Sequence, residues 1–446
     1  MNIVRFFSRF YLPPRPFYLL AGVGLLFMLS YWVGFLYPVS VILLWLILLA
    51  ILGDTVLLFA SSKGITSSRS VPDKLSNGDP NLISIQVTSG YRFSVDLEII
   101  DELPAQFQKR DFLLQLRLQS YDTRQLAYEL TPLQRGNYVF GYLHVYVCSP
   151  LGLIRRRFSF DQGQSVKVYP SFIQMRKFDF LASDKKHLSY GVKRIRMLGH
   201  SMEFDRIKNY VAGDDVRAVN WKATAKHADL MVNQFQTEKS QPIYMLIDTG
   251  RVMKMPFAGM TLLDYAINSS LAFANLAIKK KDKVGIISFS NGIHQALPAS
   301  NSRSQLRSLS ETLYPIATQF HDTDFGLLYG TVKRKVPQRS LLILFTNFEH
   351  MGGLRRQMPY LQGLARKHLL VVVIFQNTEM RELLESTAED LSGIYRKTVA
   401  QKFDVEKRQM VLELGKRGIQ AILTPPEELT VNAINKYLEI KARGML

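Results

Sequence analysis

Pro242-Ile243-Tyr244-Met245-Leu246-Ile247-Asp248-Thr249-Gly250-Arg251 decides how the second half of the chain is read. Ile243–Asp248 is apolar along both strand faces until it ends on a carboxylate and a turn, as expected of a parallel strand covered on both sides. Val284–Phe289, Leu341–Thr346, Leu369–Phe375 and Ile419–Leu423 repeat the pattern. Between them the period changes. Leu262–Lys280 sets Leu263, Ile267, Leu271, Ala274 and Ile278 along one helical face. Ser304–Ala317, Phe325–Val332, Arg381–Glu385, Asp404–Lys416 and Val431–Lys441 also read as helices. Such alternation predicts a doubly wound α/β domain over 241–446, with helices on both faces of one sheet. Ligands of such sheets bind beyond the carboxyl ends of the strands, which directs attention to the ends of Ile243–Asp248 and Leu341–Thr346.

A charged signature segment, 173–240, precedes this domain. Its centre, Ile207–Lys226, reads I-K-N-Y-V-A-G-D-D-V-R-A-V-N-W-K-A-T-A-K. Phe204, Ile207, Tyr210 and Val211 keep helical spacing, so Glu203–Val211 is expected to be a short helix, broken by Ala212-Gly213-Asp214-Asp215. Tyr210 and Trp221 are expected to anchor it by packing. Asp214 and Asp215 read as a cap with an ion pair to Arg217 or Lys222, the alternative being a paired carboxylate site for a metal-dependent hydrolase. A second motif, Arg135–Arg157, reads R-G-N-Y-V-F-G-Y-L-H-V-Y-V-C-S-P-L-G-L-I-R-R-R.

These two motifs resemble those of the domain of unknown function 58 family, membrane-anchored bacterial proteins with a von Willebrand factor A-like domain. The family patterns are R-x-Y-x-x-G-D-D-x-R-x-I-N-W-x-A-T-A-R and R-G-x-Y-x-x-G followed by D-P-F-G-L. Lys208, Lys226, Ser149 and Leu151 depart from them. The resemblance implies a von Willebrand factor A-like fold for 241–446. It also implies a place to look for Mg²⁺, which such domains hold through D-x-S-x-S, a Thr and an Asp. Here the first loop is Asp248-Thr249-Gly250-Arg251-Val252, without either serine. Thr323, or its neighbour Asp324, stands for the second loop, and Asn347 for the Asp of the third. Asp248, Thr323 and Asn347 are therefore a degenerate metal set, expected to be empty, with Asp248 neutralised by hydrogen bonds or by Arg251. No cofactor is expected. Members of the resembled family often occur beside MoxR-type AAA+ ATPases, which implies such an ATPase as partner, met through Asp214, Asp215, Arg217 and Arg251.

The N-terminal 62 residues are apolar. Arg5, Arg9 and Arg15 precede an uncharged run from Phe17 to Tyr37, and a second run follows from Val39 to Ala60, interrupted only by Gly53 and Asp54. Each is long enough as a helix for a hydrocarbon core of roughly 30 Å. Tyr31, Trp32 and Tyr37 mark the turn, and the basic residues at both ends place those ends inside. The expectation is a transmembrane helical hairpin in the bacterial inner membrane, with the N-terminus and soluble domains cytoplasmic and Asp54 wet at the inner interface. Residues 63–80 read as a linker. Over 81–172, Leu82–Val87, Phe93–Ile100, Phe112–Leu118, Leu126–Leu130, Tyr138–Val147 and Val166–Tyr169 alternate as the strands of a β-sandwich. Arg155-Arg156-Arg157 reads as a solvated strand edge, where positive charge blocks edge pairing, with phosphate binding as the alternative.

A net charge of +19 over 446 residues directs the chain to an anionic partner, and a cytoplasmic membrane face accounts for much of it. One cysteine, Cys148, rules out an internal disulfide and reads as a buried inert thiol. There is no G-x-x-x-x-G-K-[ST] and no H-E-x-x-H, and no serine has the setting of a nucleophile. The chain thus reads as a non-enzymatic, membrane-tethered scaffold or adaptor that works with the ATPase in protein assembly or maturation. An anionic-lipid or nucleic-acid binder is the second reading, and a Mg-dependent hydrolase using Asp214, Asp215 and Asp248 the third.

Overall fold

The computed structural model describes residues 7–61, 64–173, 204–211, 216, 219–227, 229–235, 240–385 and 390–445. The chain is a mixed α/β protein in two units, Met1–Tyr169 and Pro170–Leu446.

The first unit begins with two apolar helices that pack on each other, α1 (Pro14–Leu29) and α2 (Leu36–Ala60). Helix α2 is long and apolar enough to cross a bilayer. Helix α1 stops at Leu29, short of the expected span to Tyr37; its 16 residues extend about 24 Å. Strand structure starts earlier than expected. Residues 63–80 are not a linker, because β1 (Ile65–Ser70) and β2 (Lys74–Ser76) already belong to the sheets. They are followed by β3 (Asn81–Ser89), β4 (Val95–Asp101), β5 (Leu114–Leu118), β6 (Thr123–Leu130), β7 (Gly136–Phe140), β8 (Leu143–Cys148), β9 (Arg155–Phe160) and β10 (Gln164–Tyr169). Three sheets result, in the orders β9-β8-β4-β5 (with Phe10–Tyr11 on the outer edge of β9), β2-β10-β7 and β1-β3-β6. Alternation places Ile83, Ile85 and Val87 of β3 in a shared core with Leu97, Val145 and Val166.

Two expectations fail here, for one reason. Asp54 is fully buried, not wet: its Oδ2 accepts from the backbone N–H of Leu153 (3.1 Å) and Ile154 (3.0 Å). Arg155–Arg157 is not a solvated edge either, since β9 lies between Phe10–Tyr11 and β8. Arg155 pairs with Glu98, and Arg157 lies over the Tyr11 ring. Arg156 is buried between the rings of Phe59 and Phe158 and donates to the carbonyls of Leu58 (2.5 Å) and Ser61 (3.0 Å). Helix carbonyls at a C-terminus lack intrahelical partners, and a guanidinium supplies them. The end of the apolar helix is therefore part of the sheet core, where Ala50, Ile51 and Phe59 also pack.

The second unit opens with β11 (Phe204–Asn209), α3 (Trp221–His227) and β12 (Met231–Phe235). Phe204–Asn209, expected to be helical, is a strand paired antiparallel with β12. Four apolar positions over eight residues fit a helix or a half-buried strand, and pairing decides. Trp221 is 70% exposed and does not anchor the segment by packing; Tyr210 is half-buried. Asp214, Asp215 and Arg217 lie outside the described residues.

The large sheet follows: β13 (Pro242–Asp248), α4 (Leu262–Lys279), β14 (Lys283–Phe289), β15 (Ile293–Ser300), α5 (Gln305–Leu313), α6 (Phe325–Lys335), β16 (Leu341–Phe345), α7 (Met351–Lys367), β17 (Leu369–Phe375), α8 (Thr378–Glu385), α9 (Leu391–Lys416), β18 (Gln420–Thr424) and α10 (Leu429–Ala442). Its order is β15-β14-β13-β16-β17-β18, parallel except for the edge strand β15. Every residue of β13 is buried. Ile243, Met245 and Ile247 face the core with α4, α5 and α10, whereas Tyr244 and Leu246 face the core with α6, α7 and α9. A continuous apolar run is what two covered faces require.

Candidate functional site

In the order β15-β14-β13-β16-β17-β18 the chain first winds outward from β13 and then returns to begin again at β16 on its other side. The carboxyl ends of these two neighbours flank the crevice where open α/β sheets bind ligands. Asp248 ends β13 and Thr346 directly follows β16.

Asp248 is wholly buried, and three donors converge on its carboxylate. Oδ1 accepts from Gly250 N (2.8 Å) and Thr323 Oγ1 (2.6 Å), and Oδ2 accepts from Thr346 Oγ1 (2.6 Å). Burial pushes its acidity down, raising the pKa, while these three bonds partly offset the effect. Neutralisation comes from hydroxyl and amide donors. Arg251 is more than half exposed and lies near Asp322, at 3.8 Å. Thr323, not Asp324, is the second loop's contribution, because Asp324 caps α6 by accepting from Leu327 N at 3.0 Å. Gly250 is glycine for a steric reason: a Cβ there would collide with Thr323 Oγ1.

The third loop corrects the expectation. Its partner for Asp248 is Thr346, while the Oδ1 of Asn347 is held by the ammonium of Lys407 at 2.6 Å. Lys407 also donates to the carbonyl of Phe348 at 2.5 Å. These residues do not fit a divalent cation. Both oxygens of Asp248 are taken, the Asn347 oxygen faces a cation already, and Arg251 adds positive charge to the same cavity. Among the described residues no group of three His, Cys, Asp or Glu side chains is placed to hold a metal.

Two cavities open at this end of the sheet. One of about 150 Å³ lies over Asp248, Thr323 and Thr346 and reaches Arg251. The second, of about 410 Å³, shares Asn347, Glu349 and His350 with it. Its wall is apolar, from Met255, Phe257, Phe375, Met380, Leu384 and Phe403, with Lys407 as the cation. An apolar cavity with a few polar groups at its edge is the usual form of a binding site. Sequence reading missed Thr346 and Lys407 as site residues. Thr346 carries a signal, since it is the first polar residue after a buried strand; Lys407 carries none, being one of many basic residues on a helix.

Burial lowers the Lys407 pKa from 10.5 to about 8, opposed by the charges of Glu349 and Glu406. Between about pH 8 and 10.5 the folded chain then binds fewer protons here than the unfolded chain. Its stability rises with pH through that window and is flat, for this group, below it. Comparing the urea midpoint across pH for the native chain and for Lys407→Met isolates the effect: the variant's curve is expected to lack the rise.

Parts of the chain resemble known proteins. The chain is 28% identical to the uncharacterized protein YeaD of Bacillus subtilis (strain 168), over 28% of this chain and 30% of that protein. It is 20% identical to the uncharacterized protein Mb1516 of Mycobacterium bovis, over 42% of this chain and 60% of the relative. The matched segments thus span less than two thirds of either relative. Among solved structures, the conserved hypothetical protein BatB of Bacteroides thetaiotaomicron is 16% identical, with a TM-score of 0.33, covering 46% of this chain and 99% of that one. Residues 206–393, which include Asp248, Thr323 and Thr346 of the crevice but stop short of Phe403 and Lys407, match the family described as protein of unknown function DUF58.

Proposed function

We propose that the chain is a membrane-tethered docking protein, without catalysis of its own, whose C-terminal unit receives a protein partner at the carboxyl end of the large sheet. The observation that carries this reading is the pair of adjoining cavities there, one over a carboxylate that is already satisfied and one walled by apolar side chains. A site of this kind offers burial to an apolar side chain of a partner. Methionines at 255 and 380 allow the wall to adapt to the side chain it receives.

The strand order, with its single antiparallel edge, supports a von Willebrand factor A-like unit. Helix α2 supports the tether. Together with α1 it makes a two-pass hairpin in the bacterial inner membrane: Tyr31, Trp32 and Tyr37 are all exposed at the turn, as interfacial rings would be, and basic residues flank the other end. The soluble units then lie in the cytoplasm. The resemblance to the domain of unknown function 58 family implies the partner class we propose, a MoxR-type AAA+ ATPase acting with this chain in protein assembly or maturation. A charged side chain at the cavity wall tests the reading. Phe403→Glu, at a residue 37% exposed, places an unpaired carboxylate where the partner would bury apolar surface. Co-purification from gently solubilised membranes should recover the ATPase with the native chain and lose it with the variant, at an unchanged melting temperature. Equal recovery with both would contradict the site.

A further inference from the structure

The turn Ser149–Ile154, part of the Arg135–Arg157 motif, has no part in docking at the large sheet, yet it lies beside a polar cavity of the first unit. That cavity, of about 630 Å³, opens at the foot of α1 and is walled by Arg15, Arg117 and Arg155 together with Asp96 and Glu98. Four of these charges are matched: Arg155 with Glu98 at 2.7 Å, and Arg117 with Asp96 at 3.6 Å. Arg15 has no ion pair among the described residues.

The motif sets where Arg15 lies. Gly152 adopts φ +66°, and a Cβ there would come within 2.5 Å of the Arg15 Nη1, so the guanidinium rests on the glycine. The turn is held from above by Gly152 N donating to Ser149 O (3.0 Å), and from below by Asp54 accepting from Leu153 and Ile154. Immediately after Arg15 the helix surface turns apolar and stays open: Phe17, Tyr18, Leu19 and Leu20 are all exposed. A placed, unmatched guanidinium thus borders a surface fit for acyl chains.

We propose that this cavity seats the phosphodiester of a membrane phospholipid, with Arg15 as its cation and the acyl chains along α1. The inference rests on the reading of α1 and α2 as membrane helices. A guanidinium binds phosphate oxygens through paired N–H donors. Asp96 and Glu98 admit one added negative charge next to Arg15 and disfavour two, which selects a diester over a phosphomonoester.

The full-length chain in maltoside micelles, titrated with phosphatidylglycerol and followed by native mass spectrometry, tests this. One retained phosphatidylglycerol is expected, with diacylglycerol of the same chains not retained. Arg15→Gln should weaken retention about five- to tenfold without moving the melting temperature, since the residue is exposed. Arg15→Lys, which keeps charge and loses the fork, should fall between. Equal retention by a folded Arg15→Gln chain, or equal retention of diacylglycerol, overturns the proposal. Binding of inorganic phosphate as tight as that of the lipid overturns it too, by making the cavity a soluble-anion site. A chain that leaves membranes in a carbonate wash without detergent sinks the membrane reading and the headgroup site with it. A chain that stays, with retention indifferent to Arg15, sinks the headgroup site alone.

Discussion

Arg69→Ala is expected to cost the N-terminal unit about 3–5 kcal/mol, measured as the loss in denaturation free energy of the full chain in micelles. The Arg69 and Asp101 side chains are 1% and 0% exposed and form an ion pair. Arg69 also donates to the carbonyls of Gly141 (3.1 Å) and Gln162 (2.5 Å), and Tyr128 Oη donates to Asp101 at 2.5 Å. Removing the guanidinium leaves a buried carboxylate with only the tyrosine. Burial already raises the Asp101 pKa against the pull of Tyr128 and Arg69, so the variant's acid would be driven further towards its neutral form. The double variant Arg69→Met, Asp101→Leu removes both charges and should recover much of the loss. If the single variant were as stable as the native chain, the pair would contribute nothing to holding the sheets together.

The second large effect is expected at Asp54. Asp54→Leu orphans two buried backbone donors, those of Leu153 and Ile154, at about 1–3 kcal/mol each. Asp54→Asn keeps an acceptor oxygen and should lose less than half as much. The contrast separates hydrogen bonding from charge. A lipid-facing or wet Asp54 would give the opposite ranking, because leucine would then be the better membrane residue. Thermal unfolding in micelles, read on the sheet signal, checks it. The site matters beyond stability, since the same turn carries Gly152 and so places Arg15.

Most of the fold was legible where burial is symmetrical or strictly alternating. The runs from Ile243 to Phe375 are apolar on both strand faces, and β3 alternates without interruption. Elements were lost where local preference and tertiary context disagree. Helix α7 contains Gly352, Gly353 and Pro359, each a poor helix former, and is held by Leu354, Met358, Leu361 and Leu364 in the core. Edge strand β15 carries His294, Gln295 and Pro298, which a covered strand would not tolerate. Strand β9 opens on three arginines, and its pairing on both edges depends on partners that the local pattern does not announce.

The candidate site shows the same division. Asp248 was readable because a buried strand ended on it. Its partner Thr346 lies 98 residues away, and Lys407 lies 60 residues beyond Asn347, so only the strand order brings them to one crevice. Asn347 was assigned by matching a loop pattern; the adjacent threonine has the side of the strand that faces Asp248, and asparagine the side that faces Lys407. A one-residue step at a strand end exchanges the two faces.

The most direct test of docking at this crevice is a photoreactive phenylalanine derivative placed at position 403 of the full-length chain in its native membrane. Irradiation should yield one dominant adduct whose partner is an AAA+ ATPase, while the same probe at Leu391, which is 85% exposed on α9 and outside the cavity, should not. Adducts of equal yield from both positions, or none to any protein from position 403, would contradict the account.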